Sequence, residues 1–306
     1  MDYYSVHLPK FKLLSPKTIA EATTLLSQHQ ENTAILAGGT DLIPEMRKRK
    51  RTPEYVLSLK SIPGLDSIEQ RDGKVIFGPL VTLNQVKASP VIRGGYAVLA
   101  EAADKFGNNQ IRNMATVAGN LCNSSCCADT ASPLMVLGAQ LKLKSAQGER
   151  NLPVEKFCQT PFKPTLKQDE LLVEISVPQS SPTTVGTYLK YTLPGATGYS
   201  FVGVAVTLDI ANKLCKEARI ALVASSQCWL REGCLYECPF PFKAGEAESI
   251  LKGKGKDDAA IEKAADTAAQ SAHPMVNTDY AREIIKVFTR RALQQAWDKA
   301  KQRGLA

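Results

Sequence analysis

The chain has 306 residues, 44% hydrophobic and 22% charged, which describes a globular protein with material for more than one core and excludes a disordered, fibrous or collagen-like chain. Its longest apolar run, Ala131 to Ala139, is far short of the ~20 residues that cross a bilayer, and Met1 to Leu14 has no signal-peptide core, so a cytoplasmic protein without a membrane span is expected. The net charge of +8 invites nucleic acid, but the basic residues are scattered except for Arg47-Lys48-Arg49-Lys50-Arg51; that knot reads first as the solvated basic end of a helix and second as a docking patch, and no nucleic-acid binding is expected.

In chain order, Tyr4 to Leu8 reads as a short strand, Pro16 to His29 as an amphipathic helix, and Ala34 to Ala37 as a buried strand that stops at Gly38-Gly39, which makes a β-α-β unit. Asp41 to Lys50 follows as a helix, Tyr55 to Leu57 as a strand, and Ile68 to Phe77 as a hairpin turned by Arg71-Asp72-Gly73. Helices are expected from Thr82, over Val98 to Phe106 and over Asp129 to Gly138; strands are expected at Leu141 to Lys144, Arg150 to Pro153 and Leu171 to Val177. Pro178 to Thr184 reads as a linker. A second unit then begins, with strands at Gly186 to Tyr191, Phe201 to Ile210 and Arg219 to Ala224. Its helices are expected at Ala244 to Leu251, Asp257 to Ser271 and Asp279 to Lys299, with Asp257 and Asp279 as N-caps.

Two small-residue segments carry chemistry. Ala37-Gly38-Gly39-Thr40-Asp41 joins a strand to a helix, and its paired glycines let several backbone N–H groups converge, a geometry that suits a diphosphate without any basic side chain. Thr116-Val117-Ala118-Gly119-Asn120 is a second such bend about eighty positions on. Taken alone, the first reads sooner as a plain strand-to-helix turn and the second is a weak signal, and the first has neither the Rossmann spacing nor the Walker lysine.

Together, Ile35-Leu36-Ala37-Gly38-Gly39-Thr40-Asp41-Leu42 and Thr116 to Asn123 resemble the two FAD diphosphate loops of the flavoprotein subunit of molybdenum hydroxylases. That family includes the medium subunit of carbon monoxide dehydrogenase, the FAD domain of xanthine dehydrogenase and the flavin subunit of 4-hydroxybenzoyl-CoA reductase. The resemblance runs on through Asp129-Thr130-Ala131, Glu170-Leu171-Leu172, Lys190 and Tyr280 to Leu293. It implies an α+β fold: a two-subdomain FAD-binding domain of the PCMH (vanillyl-alcohol-oxidase-like) type over 1–178, divided at about 57/58, then a small α+β domain over 185–306 with a three-stranded sheet and helices. By the same resemblance the diphosphate lies on residues 37–41 and on Thr116, Gly119 and Asn120, with Phe106, Asp129, Leu172 and Lys190 at further FAD contacts and Tyr199 against the flavin ring. Read by themselves, Asp129 is equally a helix N-cap, Lys190 a solvated strand residue and Tyr199 a core residue.

The implied function is that of an FAD-binding electron-transfer subunit. It takes electrons from a small subunit with two [2Fe-2S] clusters, beside a large molybdopterin-containing subunit, and passes them to an acceptor such as NAD. Among the three histidines, His7, His29 and His273, none sits in a motif for a base or nucleophile, so no catalytic side chain is assigned and the chemistry is the flavin's. A free-standing flavin oxidoreductase of the same fold, or a basic module with two structural turns and no cofactor, are the alternatives. The eight cysteines are expected to be reduced. Cys228, Cys234 and Cys238, with one of Cys122, Cys126 or Cys127, could hold a [4Fe-4S] cluster, as the benzoyl-CoA reductase relative does on an insertion that this chain lacks, but their spacings match no strong metal signature and plain thiols are the leading reading.

Overall fold

A computed structural model of the chain describes residues 7–158, 163–192, 198, 200–224, 241–272 and 278–306. Its first sheet combines β1 (Lys12–Leu14), β2 (Thr33–Leu36) and β3 (Tyr55–Ser58), with α1 (Ile19–His29) and α2 (Leu42–Arg47) as the connections. The order is β1-β3-β2 with both pairings parallel, and parallel neighbours require crossovers of this kind. Thr18 starts α1 by accepting the Glu21 backbone N–H at 3.1 Å, and Ala22 and Leu26, one helical turn apart, press onto Leu57 and Leu59. The strand expected at Tyr4 to Leu8 falls mostly outside the described residues; the first strand seen is Lys12–Leu14. That edge strand gave no burial signal because Leu13 is 59% exposed, and its place is fixed by main-chain pairing with Tyr55–Leu57.

Next comes a five-stranded antiparallel sheet in the order β4-β5-β8-β6-β7, made of β4 (Ile68–Arg71), β5 (Lys74–Phe77), β6 (Gln140–Lys144), β7 (Glu149–Pro153) and β8 (Leu171–Pro178). The β4–β5 hairpin turns on Asp72 and Gly73, both at positive φ, as a two-residue turn matched to strand twist requires. Between β5 and β6 lie α3 (Leu83–Ala88), α4 (Pro90–Gly95), α5 (Ala97–Lys105), α6 (Asn109–Arg112), α7 (Val117–Asn123) and α8 (Ala131–Val136), and α9 (Val154–Phe157) follows β7. The alternating inward residues Val75, Phe77, Leu141, Leu143, Ile175 and Val177 join Leu99 and Leu134 in one core.

The C-terminal part is a four-stranded antiparallel sheet ordered β12-β11-β10-β9, from β9 (Thr184–Tyr191), β10 (Val202–Ala211), β11 (Leu214–Ala224) and β12 (Phe242–Lys243). The three expected strands are there, and β12 adds a fourth at the edge, too short at two residues to carry a periodicity. With α10 (Gly245–Leu251), α11 (Asp258–Ser271) and α12 (Thr278–Gln302), the sheet is covered on both faces: α12 lies on β9 and β10, while α5 packs on β9 and α8 on β10 and β11. Double coverage explains why Val202 to Leu208 is buried throughout instead of alternating. Asp257 caps α11 through the Ala259 N–H at 3.0 Å. Asp279 is not a cap but sits inside the first turn of α12, where its charge still suits the helix dipole.

Candidate functional site

The segment 37–41 is the turn from β2 into α2, and Gly39 turns it at φ +78. A Cβ on Gly38 would lie 2.1 Å from the carbonyl oxygen of Met114. The first bend therefore presses main chain against main chain on the residue pair leading into the second. Thr116 closes the second bend by accepting the Gly119 N–H at 2.9 Å, capping α7. An isolated bridge of Thr82 with Thr116, flanked by Leu83 N–H to Ala115 and Val117 N–H to Val81, both at 3.0 Å, fixes it on the segment before α3.

Among the described residues, the backbone N–H groups of Gly38, Gly39, Thr40 and Asp41, and of Thr116 and Ala118 in the second bend, donate to no protein acceptor. Of these, Gly38 and Thr116 belong to residues lining one cavity, and unpaired amides brought together from two bends suit an anion. A cavity of about 410 Å³ adjoins both bends, lined by Ala37, Gly38, Met114 and Thr116 together with Lys60 and Asp66. That volume is within the ~300–1,000 Å³ usual for ligand sites. Asp41 is exposed, and desolvation around its carboxyl, with the charge of Glu45 second, raises its pKa above the ordinary carboxylate value. On these observations the residues fit an FAD diphosphate.

Asp129 and Lys190 are brought together. Their side chains are only 5% and 4% exposed and form an ion pair at 2.8 Å. Asp129 also accepts from Tyr188 Oη at 2.6 Å and from Ser200 Oγ, while Lys190 Nζ donates in addition to the carbonyls of Gly198 at 2.6 Å and Lys105 at 3.1 Å. All three ammonium protons thus have acceptors, the condition for burying such a charge. Burial first, then the Asp129 charge, push Tyr188 well above its ordinary range, so it remains a phenol that donates. A Cβ on Gly203 would come 2.4 Å from Tyr188 Oη, so a glycine there leaves the tyrosine room to reach Asp129. The N-cap of α8 is Thr130, without a side-chain bond, and Asp129 is neither that cap nor free. Thr130 instead donates from its N–H and hydroxyl to Asn120 Oδ1, at 3.2 and 2.6 Å, which ties the second bend to the Asp129 cluster.

Of the other sequence-derived positions, Ile35 and Leu36 are partly buried and Leu42 is buried, packed beneath the first bend. Phe106 ends α5, packs on the central core and offers its carbonyl to Arg112 at 2.8 Å. Leu172 is wholly in that core, paired with Leu143, so its side chain has no access to a ligand. Tyr199 lies outside the described residues, as do Cys228, Cys234 and Cys238. Cys122 and Cys158 are thiols pushed up to about 12 by burial, and Cys127 is raised by the hydrogen bond its thiol donates to Cys126 and by burial. Among the described residues no three His, Cys, Asp or Glu side chains gather as a metal site. No helix among them is long and apolar enough to cross a membrane. Lys60 and Asp66 were missed from sequence; the chain leaving β3 carries both to the cavity, and Gln85 holds the Asp66 segment there.

Residues 9–180 match the family described as the FAD binding domain in molybdopterin dehydrogenase. The chain is 29% identical over 295 residues to the carbon monoxide dehydrogenase medium chain of Hydrogenophaga pseudoflava, spanning 94% of this chain and 98% of that one. It is 32% identical over 249 residues to the nicotinate dehydrogenase FAD-subunit of Eubacterium barkeri, spanning 79% and 80%. Among solved structures it superposes at a TM-score of 0.86, with 28% identity and 96% and 99% coverage, on carbon monoxide dehydrogenase from Hydrogenophaga pseudoflava lacking the Mo-pyranopterin moiety of its molybdenum cofactor. With two bends meeting at one cavity, a family model matching residues 9–180 and relatives spanning nearly the whole chain, the protein belongs to the FAD-binding medium subunits of the molybdenum hydroxylases, an oxidoreductase family.

Proposed function

We propose that this FAD subunit receives electrons from a small partner carrying two [2Fe-2S] clusters, within a complex whose large subunit carries molybdopterin, and delivers them to a soluble acceptor such as NAD. Bound FAD supplies the redox chemistry; the chain supplies position and electrostatics. The main chain of 37–41 and of Thr116 and Ala118 holds the diphosphate, on the support of Ile35, Leu36 and Leu42; Gly119 and Asn120, whose N–H groups both donate to Thr116, shape the second bend. Phe106, the main chain about Leu172 and Gly198 bound the ring end. Lys190 and Asp129 act there as braces, because their charges are already paired with each other. The cofactor domain extends over 1–178, with subdomains meeting near 57/58, and 185–306 forms the second domain.

One observation carries this reading: the two bends line a single cavity with unpaired amides. It is tested by isolating the chain with its native partners. A yellow complex is expected, with FAD released on denaturation, molybdenum and iron in the partners, and NAD reduced when the complex turns over. A colourless complex without FAD would refute the cofactor assignment, and turnover by the isolated chain would favour a free-standing oxidoreductase. Iron that stays with the separated chain would revive the [4Fe-4S] cluster.

A further inference from the structure

The pairing of β2 with β3 places Leu36 opposite Ser58. Two residues beyond the end of each strand come Gly38, in the first bend, and Lys60. Lys60 sits in a single turn of 3₁₀ helix whose start is held by its own N–H donating to Ser58 Oγ at 3.4 Å. It lines the same cavity as the bends, is exposed, and its ammonium has no ion pair or hydrogen bond among the described residues.

Asp66 lines the same cavity, also exposed and likewise in no ion pair among the described residues. Its segment is held in place: the Asp66 carbonyl accepts Gln85 Nε2 at 3.1 Å, and Gln85 Oε1 accepts the Thr82 N–H at 2.8 Å. Thr82 is bridged in turn to Thr116. The cavity therefore has a cation beside the first bend and a carboxylate tied to the second, with no ion pair joining them.

We propose that this cavity takes the adenosine-diphosphate half of the dinucleotide, with the Lys60 ammonium set against the diphosphate and the Asp66 carboxylate accepting hydrogen bonds from the adenosine. The proposal rests on the FAD reading and adds two side chains to a site otherwise made of main chain. Each charge has its chemical complement: an ammonium is a mobile point charge for phosphate, whereas a carboxylate accepts from hydroxyl or amino groups and repels phosphate. The pair so fixes the direction in which the nucleotide enters. At about 410 Å³ the cavity is near the small end of the ~300–1,000 Å³ seen for whole ligands, in keeping with half of FAD.

The test uses the full chain, stripped of flavin and titrated with FAD, with ADP and inorganic pyrophosphate as competitors. Lys60→Met is expected to weaken FAD, ADP and pyrophosphate alike by about tenfold, which corresponds to about 1.4 kcal/mol, and to flatten the salt dependence; Lys60→Arg should restore most of the loss. Asp66→Asn is expected to weaken FAD and ADP while leaving pyrophosphate unchanged. Both positions are exposed, so an unchanged melting temperature serves as the folding control. Wild-type FAD affinity in Lys60→Met, or a loss of pyrophosphate binding in Asp66→Asn equal to its loss of ADP, would overturn the proposal. Wild-type chain that binds ADP but no FAD would sink the flavin reading and leave the pair standing; chain that binds neither would sink both.

Discussion

Replacing Gly38 by alanine tests the contact that joins the two bends. The new Cβ would lie 2.1 Å from Met114 O, 2.9 Å from its carbonyl carbon and 3.2 Å from Ala115 Cα. Ordinary contact begins near 3.4 Å, so the bends must part by about 1.3 Å. No side chain can swing away, because the obstacle is main chain held by the Leu83–Ala115 and Val117–Val81 hydrogen bonds. Overpacking of this kind costs ~1–3 kcal/mol, a fall in melting temperature of about 5 °C for a protein of this size class. Displacing one wall of a preorganised anion site by more than 1 Å should also weaken FAD by at least tenfold. Gly39→Ala is the comparison. Its left-handed φ of +78 costs ~1–2 kcal/mol in a residue with a Cβ, but that atom would meet only Leu36 Cδ1 and Ile43 Cγ1, at 3.1 and 3.3 Å, which can yield. Thermal unfolding and FAD titration of both variants separate strain from parting of the bends: similar destabilisation, with the larger affinity loss in Gly38→Ala. If Gly38→Ala binds FAD as the wild type does, the bends do not act as one site.

Asp129→Ala should destabilise the chain by ~3–5 kcal/mol, because it strands the buried Lys190 ammonium; adding Lys190→Met should recover part of that loss, and chemical unfolding that gives additive effects would contradict the coupling. Glu170 accepts Arg150 Nε and Nη2 at 2.6 and 2.8 Å, and that bonding chiefly holds its carboxyl below the ordinary 4.5. Its folded pKa is thus lower than its unfolded one, so the stabilisation is complete above about pH 4.5 and is lost as pH falls through the folded value. Glu170→Gln should lower the melting temperature at neutral pH and flatten its decline in acid; parallel melting curves for the two proteins from neutral pH downward would count against the assignment.

Local signals located most elements. The hairpin is announced by Asp72-Gly73, α3 by Thr82 with Gln85, and α11 by Asp257, each through a bond made within a few residues. The first bend is legible for the same reason, since a glycine pair after a buried strand limits what the backbone can do. What the sequence conceals depends on separation along the chain. Nothing near Gly38 says that Met114 touches it, and nothing near Lys60 says that it lines the same cavity as Gly38. Asp129 and Lys190 look like independent ligands because their 61-residue separation hides the ion pair. Edge strands β1 and β12 escape for a different reason: with little buried area they leave no periodicity to read.

The division between main chain and side chain bears on how such a site persists. A diphosphate held by backbone amides asks only that the path of the chain be kept, and that path depends on Gly38 and Gly39 and on whatever buried residues hold β2, α2 and the second bend in register. Most side chains around it are then free to change so long as the packing is preserved, which is the pattern found: 28% identity beside a TM-score of 0.86. The charged groups divide accordingly. Asp129 and Lys190 are buried and mutually satisfied, so either one alone is costly to replace and neither can exchange ligand bonds freely. Lys60 and Asp66 are exposed and lie in a cavity wall, where substitution costs the fold little and alters recognition directly. Selectivity among nucleotides is therefore adjustable at the cavity wall, while the path of the bends is fixed by contacts that admit no Cβ.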